Sequence, residues 1–281
     1  MNKRFKYYKK ILKSKKRKKL LGPYAQGVIY NTENGVFSVP IEDIGIGREL
    51  GFKGSWHKAE IETLERKIQA NDIIYVVGTH VGTLLIPLSQ KVKQIIGYEA
   101  NEKTFWFMEM NLCLNRVTNA QLFNYAVGNK ERQVTFYLNT VNSGGSKIKP
   151  QKDTIIYTHD NPQEVQVQMI PLDKHIAENS LPQPTGIIMD IEGAEFYALQ
   201  GMESALQSLR FLYIEFVPHH LDNVSNISTK TFLDLIAPHF KEAHFVRTNK
   251  LITFNNDASE VLNYLDTLKA KNIADDILFT K

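Results

Sequence analysis

Gly78-Thr79-His80-Val81-Gly82 follows an apolar run rich in β-branched residues, and an acid, Glu99, ends the next apolar run 17 residues after Gly82. Glycines at such a strand-to-helix turn let the backbone approach a ligand, and the amides at the helix start attract a carboxylate or phosphate. An acid at the second strand tip accepts both hydroxyls of a ribose, so an adenosine cofactor suits the pair. The Gly-x-x-x-Gly spacing differs from the three-glycine loop that a dinucleotide pyrophosphate demands. On the plainer reading, Gly78 and Gly82 only make a tight turn.

A second cluster, Asp190-Ile191-Glu192-Gly193-Ala194-Glu195, places carboxylates at i, i+2 and i+5 directly after another apolar run. Such groups can orient a hydroxyl, act as general base or bind a cation. Acids at a helix start also complement its dipole, so Asp190 and Glu192 are assigned to function and Glu195 to structure. Two carboxylates are too few to define a metal site, and none is expected. The third cluster is Glu215-Phe216-Val217-Pro218-His219-His220. A histidine there can take a proton near neutral pH, with Glu215 orienting it, which makes His219 a second-choice base. His57, His159, His175, His239 and His244 have no partner nearby in sequence. Trp56, Phe105, Trp106 and Phe107 read as core or a packing lid, and Cys113 as inert packing within a helical apolar face.

The elements that must position these residues alternate. Short apolar runs at Asp72–Val77, Gln94–Tyr98, Gln121–Val127, Gly186–Met189 and Phe211–Phe216 read as strands. Between them lie helical patterns at Thr83–Ser89, Glu102–Asn115 with Asn101 as cap, and Glu195–Leu209, followed by Thr229–Pro238. Within Glu102–Asn115, Phe105, Met108 and Leu112 are expected to share the apolar face. Two late strands follow, near His244–Phe254 and Ile277–Phe279. This rhythm implies βαβ units and a parallel sheet with ligands at the carboxyl ends of its strands. A hairpin at 28–39 and a helix at 55–70 precede it. Residues 129–183 break the rhythm with antiparallel-looking strands at Gln133–Leu138, Thr154–Thr158 and Val165–Ile170, read as an insertion over a sheet edge. The organisation expected is a basic tail (1–22), a lead-in (23–70) and one main domain (71–281).

The 281 residues include one cysteine, which rules out an internal disulfide and any cysteine metal cluster. No apolar run approaches the roughly 18 residues of a spanning helix, and a cytoplasmic location is expected. The net charge of +4 conceals an asymmetry: residues 1–20 carry eleven Lys/Arg and no acid, and the other 261 carry 23 bases against 30 acids. Phe5, Tyr8 and Leu12 can line one helical face of the tail. The tail reads either as a solvated arm or as a site for an anionic partner: a membrane surface, an acidic glycan or a nucleic acid.

Taken together, the motifs resemble the FkbM family of S-adenosylmethionine-dependent methyltransferases. The similarity runs from about Gly35 to the C-terminus and rests on Phe37-Ser38-Val39-Pro40 with Asp43, Val76-Val77-Gly78-Thr79-His80-Val81-Gly82, Tyr98-Glu99-Ala100-Asn101, Tyr125-Ala126-Val127-Gly128-Asn129, Pro171-Leu172-Asp173, Asp190–Glu195 and Ile214-Glu215-Phe216. The resemblance implies an α/β, Rossmann-like class I methyltransferase fold, its seven-stranded sheet mostly parallel with the last strand antiparallel. It implies transfer of a methyl group from S-adenosylmethionine to a hydroxyl of a sugar, glycan or natural product. Gly78, Thr79, His80 and Gly82 would wrap the methionine part of the cofactor, Glu99 would bind the ribose, Ala126 and Val127 would flank the adenine, and Asp190 and Glu192 would face the transferred methyl. Asp173 reads as structural. Val76 stands where the family pattern has Asp, and His80 where Asn is common. The competing readings are a methyltransferase-like binding protein without catalysis and a nucleic-acid methyltransferase guided by the basic tail.

Overall fold

The computed structural model describes residues 3–139, 141–152, 154, 157, 162–255 and 257–281, with side chains from residue 8 onward. Its organising element is the β-branched run Ile73–Val77 (β3), buried on both faces. Ile74 and Val76 pack into one core, while Tyr75 and Val77 pack into the other. A strand buried in this way must lie mid-sheet with layers above and below it. It pairs in parallel with Gln94–Tyr98 (β4) on one side and Gly186–Met189 (β10) on the other. Ala120–Phe123 (β5) extends the sheet beyond β4, and Phe211–Phe216 (β11) extends it beyond β10. Asp275–Thr280 (β14) then lies antiparallel to β11, followed by Glu242–Phe245 (β12) and Lys250–Thr253 (β13).

The sheet therefore has eight strands, not the expected seven, in the order β13-β12-β14-β11-β10-β3-β4-β5. It is mostly parallel, and its last strand in chain order, β14, is antiparallel, as the resemblance implies. The extra strand arises because the expected late strand at 244–254 folds into a hairpin. Asp275 pins its turn by accepting the amides of Arg247 and Thr248 at 2.8 and 3.2 Å. Between β3 and β10 the strand order reverses, which opens a crevice at the carboxyl ends of these two strands.

The run 121–127 is likewise not one strand. It divides between β5 in the main sheet and Ala126–Val127 (β6) in a second sheet, ordered β6-β9-β7-β8, with Arg132–Leu138 (β7), Lys147–Ile148 (β8) and Gln163–Ile170 (β9). The break falls at Asn124, whose amide donates to the Glu99 carbonyl at 2.7 Å. The pairing of β7 with β9 is antiparallel as expected; the strand expected at 154–158 lies mostly outside the described residues. The helical pattern at 195–209 forms two helices, Glu195–Gln200 and Glu203–Ser208, because the Asp173 carboxylate caps the second by accepting from Ser204 and Ala205 at 2.7 and 2.9 Å.

On the amino-terminal side, Gly27–Thr32 (β1) and Gly35–Pro40 (β2) form the expected hairpin. Fully buried Asn111 fastens it, accepting the Ser38 amide and donating to the carbonyls of Ser38 and Val81. This contact fixes the face of helix Glu102–Leu114: Phe107 is buried beside Met108 in place of Phe105, and Cys113 is exposed, not packed. The helix expected at 55–70 is confined to Lys58–Glu65 and is preceded by another at Ile46–Lys53, which ends on left-handed Gly54. The basic tail forms helix Lys3–Leu21. Among the described residues no helix is long and apolar enough to cross a membrane.

Candidate active site

The crevice at the strand tips holds a cavity of about 280 Å³. Its walls bring together Gly78, Thr79, His80, Glu99, Ala126, Val127, Asp190 and Glu192 from four separate stretches of sequence. The Gly78 turn is tight because its amide and that of Thr79 both donate to the Tyr98 carbonyl, at 2.9 and 3.1 Å. With φ at +89°, Gly78 also lies against β10, and a Cβ there would stand 1.9 Å from the Asp190 carbonyl oxygen. Gly82 does not line the cavity. Its φ of +92° lets the chain turn over Met108, whose sulfur would lie 2.3 Å from an added Cβ, so its role is packing.

Glu99 is buried, and its two carboxylate oxygens accept the amides of His80 (2.8 Å) and Asn101 (2.9 Å). Burial raises its pKa to about 7, against the opposing pull of these amides. An ionised carboxylate offers about four acceptor sites, and the Ala100 amide also pulls on this one, so acceptor capacity still remains for a ligand hydroxyl. Beside it, Ala126, Val127, Tyr125, Phe136 and Ile148 form an apolar slot. A carboxylate with acceptor capacity to spare next to such a slot fits the nucleoside half of S-adenosylmethionine.

His80 closes the other side of the glycine turn. Its Nε2 lies 2.7 Å from the Ser143 hydroxyl, which itself donates to Asp43 at 2.6 Å. Since that hydroxyl hydrogen is committed to the carboxylate, Nε2 must be the donor to Ser143. Burial holds the His80 pKa down to about 4, against the charges of Asp43 and Glu192, so the ring is neutral at pH 7 and Nδ1 carries a lone pair. That nitrogen is buried and accepts no hydrogen bond. Val76, where the family pattern has Asp, is an apolar wall of the same cavity. Asp43 also accepts the amides of Ser143 and Ile46, making it the fixed point of this relay.

Asp190 and Glu215 stand at the tips of adjacent strands. Together with Glu195 they can bring oxygens within 4.8 Å of one another. Burial, followed by the charges of neighbouring acids, raises both Asp190 and Glu215 well above the ordinary carboxylate range; a hydrogen bond from Glu215 partly offsets the shift at Asp190. Two buried carboxyls this close disfavour ionising together, so the pair tends to hold a proton. Glu195 faces inward to the helix start, accepting the Ile191 amide at 3.0 Å, and burial raises its pKa to about 7. Glu192, with φ at +56°, pairs with Lys147 at 2.8 Å and approaches His220 Nε2 at 3.4 Å.

His219 is not in this cavity. It lines a neighbouring one of about 360 Å³, which shares Asn142, Glu192 and Glu215 with the first. Glu215, which also lines that second cavity, hydrogen-bonds Asp190. Trp56, His57 and Arg247, given no catalytic part on sequence grounds, line the main cavity. His57 Nδ1 lies 3.1 Å from the Thr83 hydroxyl, and burial holds its pKa near 3. Arg247 contacts Asp276 at 2.8 Å and Glu215 at 3.9 Å. His159 lies outside the described residues.

Comparison with known proteins places this geometry in a family. A hexuronic acid methyltransferase, AglP of Haloferax volcanii, is 25% identical over 156 residues, 55% of this chain and 60% of that protein. Methyltransferase FkbM from Methylobacillus flagellatus KT superimposes over 76% of this chain and 44% of its own, with 17% identity and a TM-score of 0.45. The M. jannaschii protein TYW2, solved in complex with AdoMet, covers 91% of this chain and 85% of its own at 9% identity and a TM-score of 0.43. The chain spans less than two thirds of the length of the first two. The Methyltransferase FkbM domain matches residues 77–267, well over half the sequence. The chain belongs to the FkbM methyltransferase family.

Proposed function

We propose that this protein transfers a methyl group from S-adenosylmethionine to a hydroxyl of a sugar, glycan or natural product. The reading is carried by one observation: the carboxyl groups of Glu99 and Asp190 face the same cavity across a glycine turn. When bound, S-adenosylmethionine supplies an electrophilic methyl carbon on a sulfonium. Glu99 receives the ribose hydroxyls, and the Ala126–Val127 slot takes the adenine. His80 Nδ1 accepts an N–H from the amino-acid end, where Val76 offers no charge.

In such a displacement, where a new carbon–oxygen bond replaces the carbon–sulfur bond and its electrons stay on sulfur, Asp190 would take the proton of the acceptor hydroxyl. Alignment of the two reactants in a closed cavity can lower the barrier by roughly 7–11 kcal/mol. Glu192, neutralised by Lys147, is better suited to orient the acceptor than to take its proton. The named substrate of the Haloferax relative points to a uronic acid as the first acceptor to try. Arg247 on the cavity wall would meet its carboxylate. The test is to incubate the protein with methyl-labelled S-adenosylmethionine and a panel of uronic acids and neutral sugars. Label in an ether product on a sugar supports the reading; label only in RNA or DNA offered in parallel overturns it.

A further inference from the structure

We propose that the outward face of the amino-terminal helix binds the surface of an anionic lipid bilayer. The structure fixes which face is outward. Ser14 is buried, Arg17 donates to the Tyr30 hydroxyl at 3.3 Å and to the Asp43 carbonyl, and Lys18 pairs with Glu42 at 2.7 Å. These contacts dock one side of helix Lys3–Leu21 on the hairpin and the loop after it. The opposite side then presents Tyr8 (58% exposed) and Leu12 (50%) one turn apart, with Leu20 (83%) at the helix end. Around them Lys13, Lys15, Lys16 and Lys19 are exposed.

Charge sets the sign of the partner. The helix belongs to a segment of eleven bases and no acid, on a body whose acids outnumber its bases by 30 to 23. The apolar residues select its class. Lysines satisfy lipid phosphates and nucleic-acid phosphates alike, but Leu12 and Leu20 gain nothing from a sugar-phosphate backbone. At a membrane they enter the boundary between headgroups and acyl chains, where a tyrosine ring also resides. A helix this rich in lysine lies in the plane of the interface and does not insert across it. The Phe5 side chain, read with Tyr8 and Leu12 as one face, lies outside those described.

The test uses the full chain and sedimentation with vesicles of phosphatidylcholine alone or with about a quarter phosphatidylglycerol, at low and physiological salt. Single-stranded RNA and duplex DNA are offered in a parallel mobility shift. Binding is expected only to the anionic vesicles and should weaken with salt. Each lysine near such a surface is worth about fivefold in partition. Changing Lys13, Lys15, Lys16 and Lys19 together to Gln should therefore lower binding by several hundredfold. The double variant Leu12→Ser, Leu20→Ser should lower it by about tenfold or more with the charge unchanged. Circular dichroism matching the parent verifies that both variants fold. No binding to anionic vesicles overturns the proposal. So does binding indifferent to the leucine changes, or nucleic-acid binding tighter than vesicle binding.

Discussion

The proton shared by Asp190 and Glu215 makes a quantitative prediction. Asp190 and Glu215 share a hydrogen bond that favours ionised Asp190, while burial and the surrounding acids hold its pKa well above the ordinary aspartate range. As the base, Asp190 must be ionised, so kcat falls as pH is lowered through that raised value. Asp190→Asn removes the acceptor and should cut turnover by about 10²–10⁴-fold while leaving cofactor affinity within a few fold. Glu215→Leu removes a donor to a charged group, worth about 1.5–3 kcal/mol, or about 1–2 pH units at 1.36 kcal/mol per unit. Its loss destabilises ionised Asp190, so the acid limb of the pH profile should move that far toward alkaline pH. Glu215→Gln keeps a donor in nearly the same place and should leave the limb within a few tenths of a unit of the parent's. The assay is formation of S-adenosylhomocysteine at saturating cofactor and a uronic acid acceptor between pH 5 and 9. Full turnover in Asp190→Asn, or a limb that stays put in Glu215→Leu, refutes the reasoning.

Three further outcomes follow from the same geometry. The pKa of Glu99 near 7 means that only about a tenth of the free protein has it ionised one unit lower, so affinity for S-adenosylmethionine should fall about tenfold between pH 8 and 6; calorimetry should show this slope flattened in Glu99→Gln, which separates it from titration of Glu195, Asp190 and Glu215. In Gly78→Ala, a Cβ 1.9 Å from the Asp190 carbonyl on a left-handed backbone should cost about 2–5 kcal/mol in denaturant unfolding and abolish cofactor binding. Asp43→Ala leaves the amides of Ile46 and Ser143 and the Ser143 hydroxyl without their acceptor in a fully buried place, a loss of about 3 kcal/mol or more by the same measurement.

The central strands were legible because each is a short β-branched run closed by a polar or glycine turn, and a strand buried on both faces leaves little other reading. The positions of Glu99 and Asp190 were legible for the same reason: each follows an apolar run and so stands at a strand tip on the cavity wall. What the sequence concealed depends on contacts between distant residues. Nothing local to 121–127 shows that Asn124 bonds the Glu99 carbonyl and sends the chain into another sheet. The eighth strand needs Asp275 to hold a turn far behind it in the chain. Helix Glu102–Leu114 is apolar on most sides, so periodicity alone does not separate Phe105 from Phe107; Asn111 decides it by bonding the hairpin. Helix Ser259–Lys271 is absent from the expected elements even though Val261, Leu265 and Leu268 stand at i, i+4 and i+7. Within the site, the relay from His80 through Ser143 to Asp43 joins three segments. Only Asp43 and His80 belonged to recognisable motifs, and Ser143 lay in a polar loop. His57 carried no local signal at all.

The most direct test of the account is titration calorimetry of S-adenosylmethionine and S-adenosylhomocysteine into the purified protein, beside Glu99→Ala. Losing two hydrogen bonds from ribose to a charged acceptor corresponds to about 3–6 kcal/mol, so the account predicts saturable binding of both ligands to the parent and a loss of about 10²–10⁴-fold in the variant. A folded parent that binds neither ligand, or a Glu99→Ala protein that binds both as tightly as the parent, would contradict it.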